Sequence, residues 1–204
     1  NDKVFLSPFG VMNNIDLVTS HIRKRCIYEG LNISRSVLNF IKTRYGQTLA
    51  IVNDEYWRCM EVVEGGKTFI QLENKEMFEE AGKAVGNFQY LLSGFHTRVL
   101  DETIKHFHDT SYRYDRFMEL LEDCTDTDKI KECQKEIDFI KERHHIMSYI
   151  TDRIKSGYFP RRVCHNDTKL ANIMIDQKSG KYMCLIDLDT VMKGSLLYDY
   201  GDAI

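Results

Sequence analysis

The sequence lacks any long hydrophobic run, and no apolar segment headed by Lys or Arg stands at its start. No apolar stretch approaches the ~18 residues that a membrane-spanning helix requires. A secretory signal would combine a basic start with an apolar core, and this combination is also missing. These absences argue against a spanning helix and a signal peptide, so we expect a cytoplasmic protein.

The chain also lacks a CxxC pair, although it contains six cysteines. Zinc ribbons and redox dithiols both depend on closely spaced pairs of this kind. The cysteines are scattered along the chain at Cys26, Cys59, Cys124, Cys133, Cys164 and Cys184. We therefore expect reduced thiols.

Neither sign of charge is in excess, because 28 Lys and Arg oppose 31 Asp and Glu. Binding to a nucleic-acid backbone requires clustered positive charge, and no sustained basic block occurs. A hydrophobic fraction of 43% over 204 residues is that of an ordinary globular protein with one large domain or two small lobes. Small molecules, rather than nucleic acid or a membrane, are the expected partners.

The beginning of the chain has helical patterns. Apolar residues recur at helical spacing from Val11 to Ile27, and Gly30 follows as a stop signal. Residues 34–44 repeat the pattern more weakly. We expect a first helix at Val11–Ile27 and a second, weaker one at 34–44.

A predicted β-hairpin follows these helices. Residues 48–52 and 56–63 are rich in β-forming side chains and flank the polar turn Asn53-Asp54-Glu55. The polar, glycine-containing stretch 64–67 comes next and is typical of a linker. The pattern predicts a smaller front part at 1–64 and a larger back part at 65–204.

From residue 75 onward the pattern is helical. Two stripes of apolar residues have the i, i+3, i+4, i+7 spacing of a buried helix face. The first comprises Ala81, Ala84, Val85, Phe88, Leu91, Leu92 and Phe95, and the second comprises Ile137, Ile140, Met147, Ile150 and Ile154. We expect both stripes to form core helices.

A second hairpin is predicted after Pro160. Residues 172–176 and 181–187 are short apolar strands joined by the turn 177–180. If Asp176 lies opposite residue 183, the same register places Asn172 across from Asp187, with their side chains about 5 Å apart.

The chain around this hairpin has a pattern that suits phosphoryl transfer. The motif H-x-D-x-x-x-x-N comes first, the two strands and their turn follow, and an Asp ends the pattern. The reaction needs a carboxylate that orients and deprotonates the attacking hydroxyl, and oxygen ligands that hold Mg²⁺ against the phosphates. Asp167 is the candidate base, and Asn172 and Asp187 offer oxygens to the metal. Lys169 could reach the transferring phosphoryl group and offset its charge.

The segments CHNDTKLANIMID and LIDLDTVMKGSLLYDYGD resemble the catalytic loop and metal-binding segment of the aminoglycoside phosphotransferase and choline kinase superfamily. Within it, the DLDTV and YDYGD runs resemble those of the bacterial N-acetylhexosamine 1-kinases. The similarity extends upstream through Tyr56-Trp57-Arg58, Glu79-Ala81-Gly82-Lys83-Ala84, Gly86-Asn87-Phe88-Gln89 and Phe107-His108-Asp109-Thr110. It therefore covers most of the chain.

The resemblance implies an α+β, protein-kinase-like fold with two lobes. The small β-containing N-terminal lobe would be 1–64, and the mainly helical C-terminal lobe, with the catalytic loop and the hairpin, would be 65–204. A glycine-rich nucleotide loop and a strand bearing a phosphate-contacting lysine do not precede the first helix. We therefore expect a truncated front lobe, in which Asp16 lacks the lysine partner that the resemblance implies. The helices that the resemblance places after the YDYGD run, around the sugar pocket, are missing too, so we also expect a truncated C-terminal lobe.

The resemblance also implies ATP and Mg²⁺ as cofactors and phosphorylation of a sugar hydroxyl. The acceptor would be the anomeric hydroxyl of an N-acetylhexosamine, and the product its 1-phosphate. Glu61 and Val63 would lie in the adenine-binding hinge, and His165 would brace the catalytic loop.

Two alternatives remain open. The acceptor could be an aminoglycoside, choline or another amino alcohol, since Asp199 and Asp202 could form an acidic pocket. The chain could instead be an inactive kinase-like binding module, although it keeps all three residues of the base and metal set. For Asp199 and Asp202 a structural role is the favoured interpretation, whereas Asp189 could either support the metal site or cap a turn.

Overall fold

The computed structural model describes residues 4–203. One compact unit comprises the described residues up to Ile104 together with those from Arg161 onward, and the second is Lys105–Pro160. The helices are α1 (Pro8–Glu29), α2 (Lys75–Leu91), α3 (Thr110–Glu122), α4 (Thr127–Glu132), α5 (Gln134–Glu142), α6 (His144–Met147), α7 (Tyr149–Lys155) and α8 (Leu196–Asp202). The strands are β1 (Ala50–Val52), β2 (Glu55–Trp57), β3 (Gly66–Lys67), β4 (Arg162–Cys164), β5 (Ile173–Asp176), β6 (Tyr182–Leu185) and β7 (Met192–Gly194).

Helix α1 confirms the first predicted helix and extends it at both ends. Ser7 caps its start by accepting a hydrogen bond from Gly10 N, and Pro8 fits the first turn, where its missing N–H is not needed. Gly30 ends the helix with a φ of 69°, in the left-handed region. The buried face carries Ile15 and Val18, which are fully enclosed in the core.

The helix predicted at residues 34–44 is wrong, since this segment contains only the end of a 3₁₀ turn, Ile33–Arg35. Beyond the turn the chain is extended and bridges antiparallel to residues near Met60. Ile41 N donates to Cys59 O at 2.8 Å, and Glu61 N donates to Asn39 O at 2.9 Å. These long-range backbone bonds outweigh a weak local helix propensity.

The first predicted hairpin is confirmed, although β2 is shorter than the predicted strand. Strands β1 and β2 pair antiparallel with Val52 opposite Glu55. Asn53 and Asp54 form the turn with φ values of 52° and 61°. Asn and Asp tolerate this left-handed conformation, which matches the twist of a tight hairpin.

Strands β3, β5 and β6 form a three-stranded sheet. Gly66 of β3 lies opposite Asp176 of β5. A larger residue here would have to displace the flexible Met174 side chain, because a Cβ would lie 2.5 Å from Met174 Sδ. The stretch predicted as a linker thus supplies an edge strand, whereas the lobe boundary at residue 64 remains a prediction.

The second hairpin forms, but its predicted register is wrong by one residue at the site end. Ile173 pairs with Leu185, and Ile186 N donates to Asn172 O at 2.9 Å, so Asn172 lies opposite Ile186 and not Asp187. At the turn Asp176 N donates to Lys181 O at 2.8 Å. The register shifts between Ile173 and Ile175, as a β-bulge would produce.

Helix α2 covers this sheet and confirms the first apolar stripe. Ala84, Val85, Phe88 and Leu91 are all buried. They belong to the main hydrophobic core, which also includes the inner faces of α1, β5 and β6. Strand β4, which leads into the catalytic loop, pairs antiparallel with β7 beside this core.

The second unit, Lys105–Pro160, is entirely helical within the regular elements described. The second apolar stripe is divided among α5, α6 and α7, so the single core helix that it suggested does not form. Ile137 is buried, whereas Ile140 and Ile154 are only partly covered. No helix in residues 4–203 combines the length and the apolar character needed to cross a membrane.

A buried carboxylate ties α2 to β6. Glu80 is 4% exposed and accepts hydrogen bonds from Lys83 Nζ at 2.7 Å, Tyr182 N at 3.1 Å and Lys181 Nζ at 3.1 Å. The Lys83 ammonium is the largest cause that lowers the pKa of Glu80, to about 2. The ionised form is therefore favoured in the folded state.

We predict that Glu80→Gln lowers the free energy of unfolding by about 1–3 kcal/mol, because Tyr182 N and two ammonium groups lose their charged acceptor. The folded-state pKa lies below the ordinary value of 4.5, so the contribution is complete above pH 4.5 and is lost as the pH falls toward 2. Urea unfolding from pH 7 to pH 2.5 measures this loss.

The matched control is Glu79→Gln, since Glu79 is exposed and lies 3.7 Å from Lys75. A surface pair of this kind contributes little. If the two variants are equally stable at pH 7, the buried Glu80 contacts do not stabilise the fold.

Candidate active site

The predicted catalytic loop connects β4 to β5, and His165 anchors its first residues. The His165 side chain is fully buried, and its Nε2 is 2.9 Å from Ile186 O, the residue before Asp187. Its ring also packs edge-on against Phe88. This contact joins the loop to the predicted metal-binding segment, as the bracing role predicted for His165 would require.

Asp199 holds the catalytic loop through hydrogen bonds to the loop backbone. It is 1% exposed, and its carboxylate accepts hydrogen bonds from His165 N at 3.0 Å, Asn166 N at 2.8 Å and the Gln89 side chain. Burial raises the pKa of Asp199, and the two backbone N–H groups oppose that change by favouring the charged form. The structural role predicted for Asp199 is therefore confirmed.

Thr168 links the same loop to the end of α8. Its hydroxyl donates to Asp199 O at 2.7 Å and lies 3.3 Å from Asp202 Oδ2. Asp202 is otherwise exposed. The loop is thus fixed on both sides of Asp167 by residues of α8.

The Asp167 carboxylate is held through one of its two oxygens. Asp167 Oδ2 accepts from Asn172 Nδ2 at 2.8 Å and from Lys169 Nζ at 2.6 Å. Within residues 4–203 no hydrogen bond is made to Oδ1. This arrangement fixes the carboxylate and leaves one oxygen open to accept a proton.

Lys169 is exposed and remains cationic. Its hydrogen bond to Asp167 is the largest cause that raises the pKa of Lys169, and the nearby charges of Asp187 and Asp202 act in the same direction. Three carboxylates therefore stabilise the charged form of this ammonium group. Such a cation can interact with an incoming anionic group beside Asp167.

The two predicted metal ligands are oriented differently. Asn172 is buried, and its amide nitrogen donates both to Asp167 O and to Asp167 Oδ2. Its Oδ1 is therefore the atom available to a cation. Asp187 is exposed, and no side chain among residues 4–203 pairs with its carboxylate.

The backbone of Asp187 is left-handed. Its φ and ψ are both 58° at the start of a 3₁₀ turn at Leu188–Thr190. Among residues other than glycine, Asn and Asp adopt this conformation most readily. The turn presents the carboxylate to the adjoining cavity.

That cavity has a volume of about 490 Å³ and is mainly apolar. This size is typical of a pocket for a small ligand. Glu61, Val63 and Asp187, which the sequence analysis named as candidate site residues, all line it. Its other lining residues are Leu38, Phe40, Arg58, Met60, Val62, Gly66, Met174, Ile186 and Leu188.

Two backbone groups of the predicted hinge remain open toward a ligand. Glu61 N and Val63 O are used, by Asn39 O and Gly66 N respectively. Glu61 O and Val63 N form no hydrogen bond within the described chain. An acceptor and a donor two residues apart therefore flank an apolar cavity.

Two further carboxylates have partners that the sequence did not reveal. Asp189 forms an ion pair with Arg58, so its side chain does not cap the turn. Asp16 accepts a hydrogen bond from the Thr48 hydroxyl at 2.6 Å. Arg58 lies 131 residues from Asp189 in the chain, which explains why no local pattern indicated the pair.

The donor set fits a magnesium ion better than a transition metal. Among residues 4–203 no group of three or more His, Cys, Asp or Glu side chains is assembled for metal binding. Mg²⁺ is commonly held by one or two protein oxygens, with phosphate oxygens and waters completing the octahedron. The amide oxygen of Asn172 and the carboxylate of Asp187 are ligands of this kind.

Comparison with known proteins agrees with this geometry. Residues 36–204 match the phosphotransferase enzyme family, APH. The chain belongs to that family. Its fold is similar to the crystal structure of an aminoglycoside phosphotransferase from Alicyclobacillus acidocaldarius subsp. acidocaldarius DSM 446, with a TM-score of 0.61 and 16% identity. The match covers 93% of this chain and 57% of the other.

This family membership confirms the superfamily to which the sequence motifs pointed. The structural likeness confirms the predicted α+β, kinase-like fold, with small sheets and a mainly helical remainder. The family uses ATP and usually a divalent metal. The residue roles and the acceptor remain to be argued from the site.

We predict that Asp199→Ala lowers the free energy of unfolding by about 2–4 kcal/mol, since the buried His165 and Asn166 N–H groups both lose their acceptor. Thermal unfolding followed by circular dichroism measures the effect. Asp202→Ala on the same helix is the control, because Asp202 is exposed. Equal melting temperatures for the two variants would contradict the supporting role of Asp199.

Proposed function

We propose that this phosphotransferase moves the terminal phosphoryl group of ATP, bound with Mg²⁺, to a hydroxyl of a small molecule. The observation that carries the proposal is a connected series of contacts. The apolar cavity ends at Asp187, and Asp187 follows the residue bonded to Asn172. Asn172 in turn holds the Asp167 carboxylate with one oxygen free.

The apolar cavity suits an adenine ring. Phe40, Met60 and Leu188 supply nonpolar walls. Glu61 O can accept from an exocyclic amine, and Val63 N can donate to a ring nitrogen. These two hydrogen bonds would orient the base within an otherwise apolar site, as a few polar groups do in most ligand pockets.

Asp167 is the proposed general base. Its free Oδ1 would accept the proton of the acceptor hydroxyl, while the bonds from Asn172 and Lys169 hold the carboxylate in place. A positioned base of this kind typically contributes about 10²–10⁴ in rate. Lys169, cationic two residues away, would offset the charge of the transferring group.

Asn172 and Asp187 are the residues that would hold the metal. Mg²⁺, when bound, supplies positive charge that neutralises the phosphates. The side chains contribute one neutral and one anionic oxygen. The hydrogen bond from Asn172 Nδ2 to Asp167 also couples the metal ligand to the base, so both groups are fixed by one amide.

The proposed acceptor is a sugar, specifically the anomeric hydroxyl of an N-acetylhexosamine, in the cytoplasm. Its support is the likeness of the DLDTV and YDYGD runs to the N-acetylhexosamine 1-kinases. An amino-sugar antibiotic is the second candidate. The exposed carboxylate of Asp202 near Lys169 favours a cationic acceptor such as an aminoglycoside, choline or another amino alcohol.

We predict that Asp167→Asn lowers kcat by at least about 100-fold with the affinity for ATP changed less than about threefold, since the amide cannot accept the proton. Phosphorus NMR with MgATP and N-acetylglucosamine, N-acetylgalactosamine, kanamycin or choline measures the product. Asp152→Asn, an exposed substitution on α7, is the control.

Each outcome of that experiment separates the proposals. An anomeric sugar phosphate as the product supports both the activity and the sugar acceptor. A product formed only with kanamycin or choline supports the activity and contradicts the sugar acceptor. Absence of product from the unmodified protein with every acceptor contradicts the proposed activity. Full turnover by the Asp167→Asn variant contradicts the base assignment alone.

We predict that Asp187→Asn raises the Mg²⁺ concentration for half-maximal ATP binding by about tenfold or more, because the metal loses its anionic ligand. Asn tolerates the left-handed conformation, so stability should change by less than about 1 kcal/mol. Asp54→Asn is the matched control, since Asp54 is also left-handed but lies in the β1–β2 turn. Equal magnesium requirements for the two variants, by calorimetric titration, would remove Asp187 from the metal site.

A further inference from the structure

Arg58 connects the strand side of the cavity to the metal-binding turn. It follows β2 directly, and its Nη1 forms an ion pair with Asp189 Oδ1. Its guanidinium lies 5.8 Å from the centre of the Phe40 ring. Among the described residues that line the 490 Å³ cavity, Arg58 carries the one positively charged side chain.

The same ion pair borders a second, smaller cavity. Its volume is about 210 Å³, and Arg58 and Asp189 line it with Met12, Leu49 and Tyr56 among others. The Arg58 and Asp189 side chains are only 29% and 24% exposed. The pair is thus partly withdrawn from water and more strongly coupled than a fully exposed pair.

The turn that presents Asp187 is attached at both ends. His165 Nε2 contacts Ile186 O at 2.9 Å, and Asn14 Nδ2 donates to Val191 O at 2.9 Å. Between these anchors, the turn forms an ion pair with Arg58 through Asp189, and Thr103 Oγ1 lies 3.5 Å from Asp189 O. Asp187 has a left-handed backbone, which is uncommon for residues other than glycine, and these contacts help to hold the turn in that conformation.

We propose that Arg58 is a positioning residue that acts through Asp189 to keep Asp187 turned toward the cavity. This inference rests on the proposed function, since it assigns a purpose to the placement of Asp187. The ion pair lies two residues beyond Asp187, so the guanidinium fixes the turn without occupying the metal position. Residues that orient a metal ligand without binding the metal typically change the metal affinity by about 10–100-fold when they are removed.

A direct contact between Arg58 and the phosphates is the competing role. In that role Asp189 would compete with the nucleotide for the guanidinium, and its removal would strengthen ATP binding. In the positioning role the two side chains act as a unit. Removal of either would then weaken metal-dependent binding, and removal of both would do no further harm.

The experiment compares Arg58→Met, Asp189→Asn and the double variant with the unmodified protein. Amide hydrogen exchange across residues 186–191 reports the order of the turn without any ligand. Calorimetric titration then gives the affinity for ATP with and without Mg²⁺, and for adenosine. Arg116→Met is the matched control, because Arg116 pairs with Glu119 on the exposed face of α3.

We expect faster exchange in 186–191 for both single variants, with exchange in α1 and α2 unchanged. We also expect the Mg²⁺ concentration for half-maximal ATP binding to rise on the order of tenfold, with adenosine affinity changed less than twofold. The double variant should match the worse single variant. Arg58→Lys should restore part of the effect, since it keeps the charge but not the planar geometry.

Three results would overturn the proposal. Unchanged exchange in 186–191 would show that Arg58 does not order the turn. Opposite effects of Arg58→Met and Asp189→Asn on ATP affinity would assign Arg58 to the phosphates. Faster exchange throughout the unit would show general destabilisation. If the unmodified protein binds neither ATP nor adenosine, the proposed function fails, whereas the exchange data still decide whether Arg58 orders the turn.

Discussion

The geometry of the site depends on one buried carboxylate, that of Asp199. This carboxylate accepts hydrogen bonds from two consecutive backbone N–H groups of the catalytic loop and from the side chain of Gln89. Burying a charge is costly unless it is hydrogen-bonded, so the carboxylate and its donors must stay together. Three elements, α2, the loop after β4, and α8, are thereby fixed around Asp167.

A second set of contacts fixes the opposite side of the site. The His165 ring in the loop contacts Ile186 O through Nε2, and the Thr190 hydroxyl donates a hydrogen bond to His165 O at 2.7 Å. Two hydrogen bonds therefore join the loop to the turn that carries Asp187. The neighbours of Asp187 are bonded to this buried framework and to Arg58, which helps to hold the left-handed turn. Rigid support of this kind is what phosphoryl transfer needs, since its catalysis depends mainly on position and electrostatics.

Local patterns predicted α1, α2 and both hairpins, because each has a strong periodicity or a polar turn signal. They failed where long-range contacts decided the conformation. Residues 34–44 have a weak helical pattern but pair with the chain near Met60. The predicted register assumed that Asp176 faces residue 183, whereas Asp176 bonds to Lys181 at the turn and the shift between Ile173 and Ile175 places Asn172 opposite Ile186. A single-residue irregularity of this kind leaves little trace in composition.

The sequence by itself determined the candidate chemistry, since the spacing of Asp167, Lys169, Asn172 and Asp187 predicts a base, a cation and two oxygen ligands. The tertiary structure alone decided which atoms are free. It occupies one oxygen of Asp167, uses the Asn172 amide nitrogen and leaves its oxygen without a hydrogen bond among the described residues, and pairs Asp189 with Arg58. The reason is physical: hydrogen bonds and ion pairs depend on distance in space, and residues 131 positions apart in the chain can lie in contact.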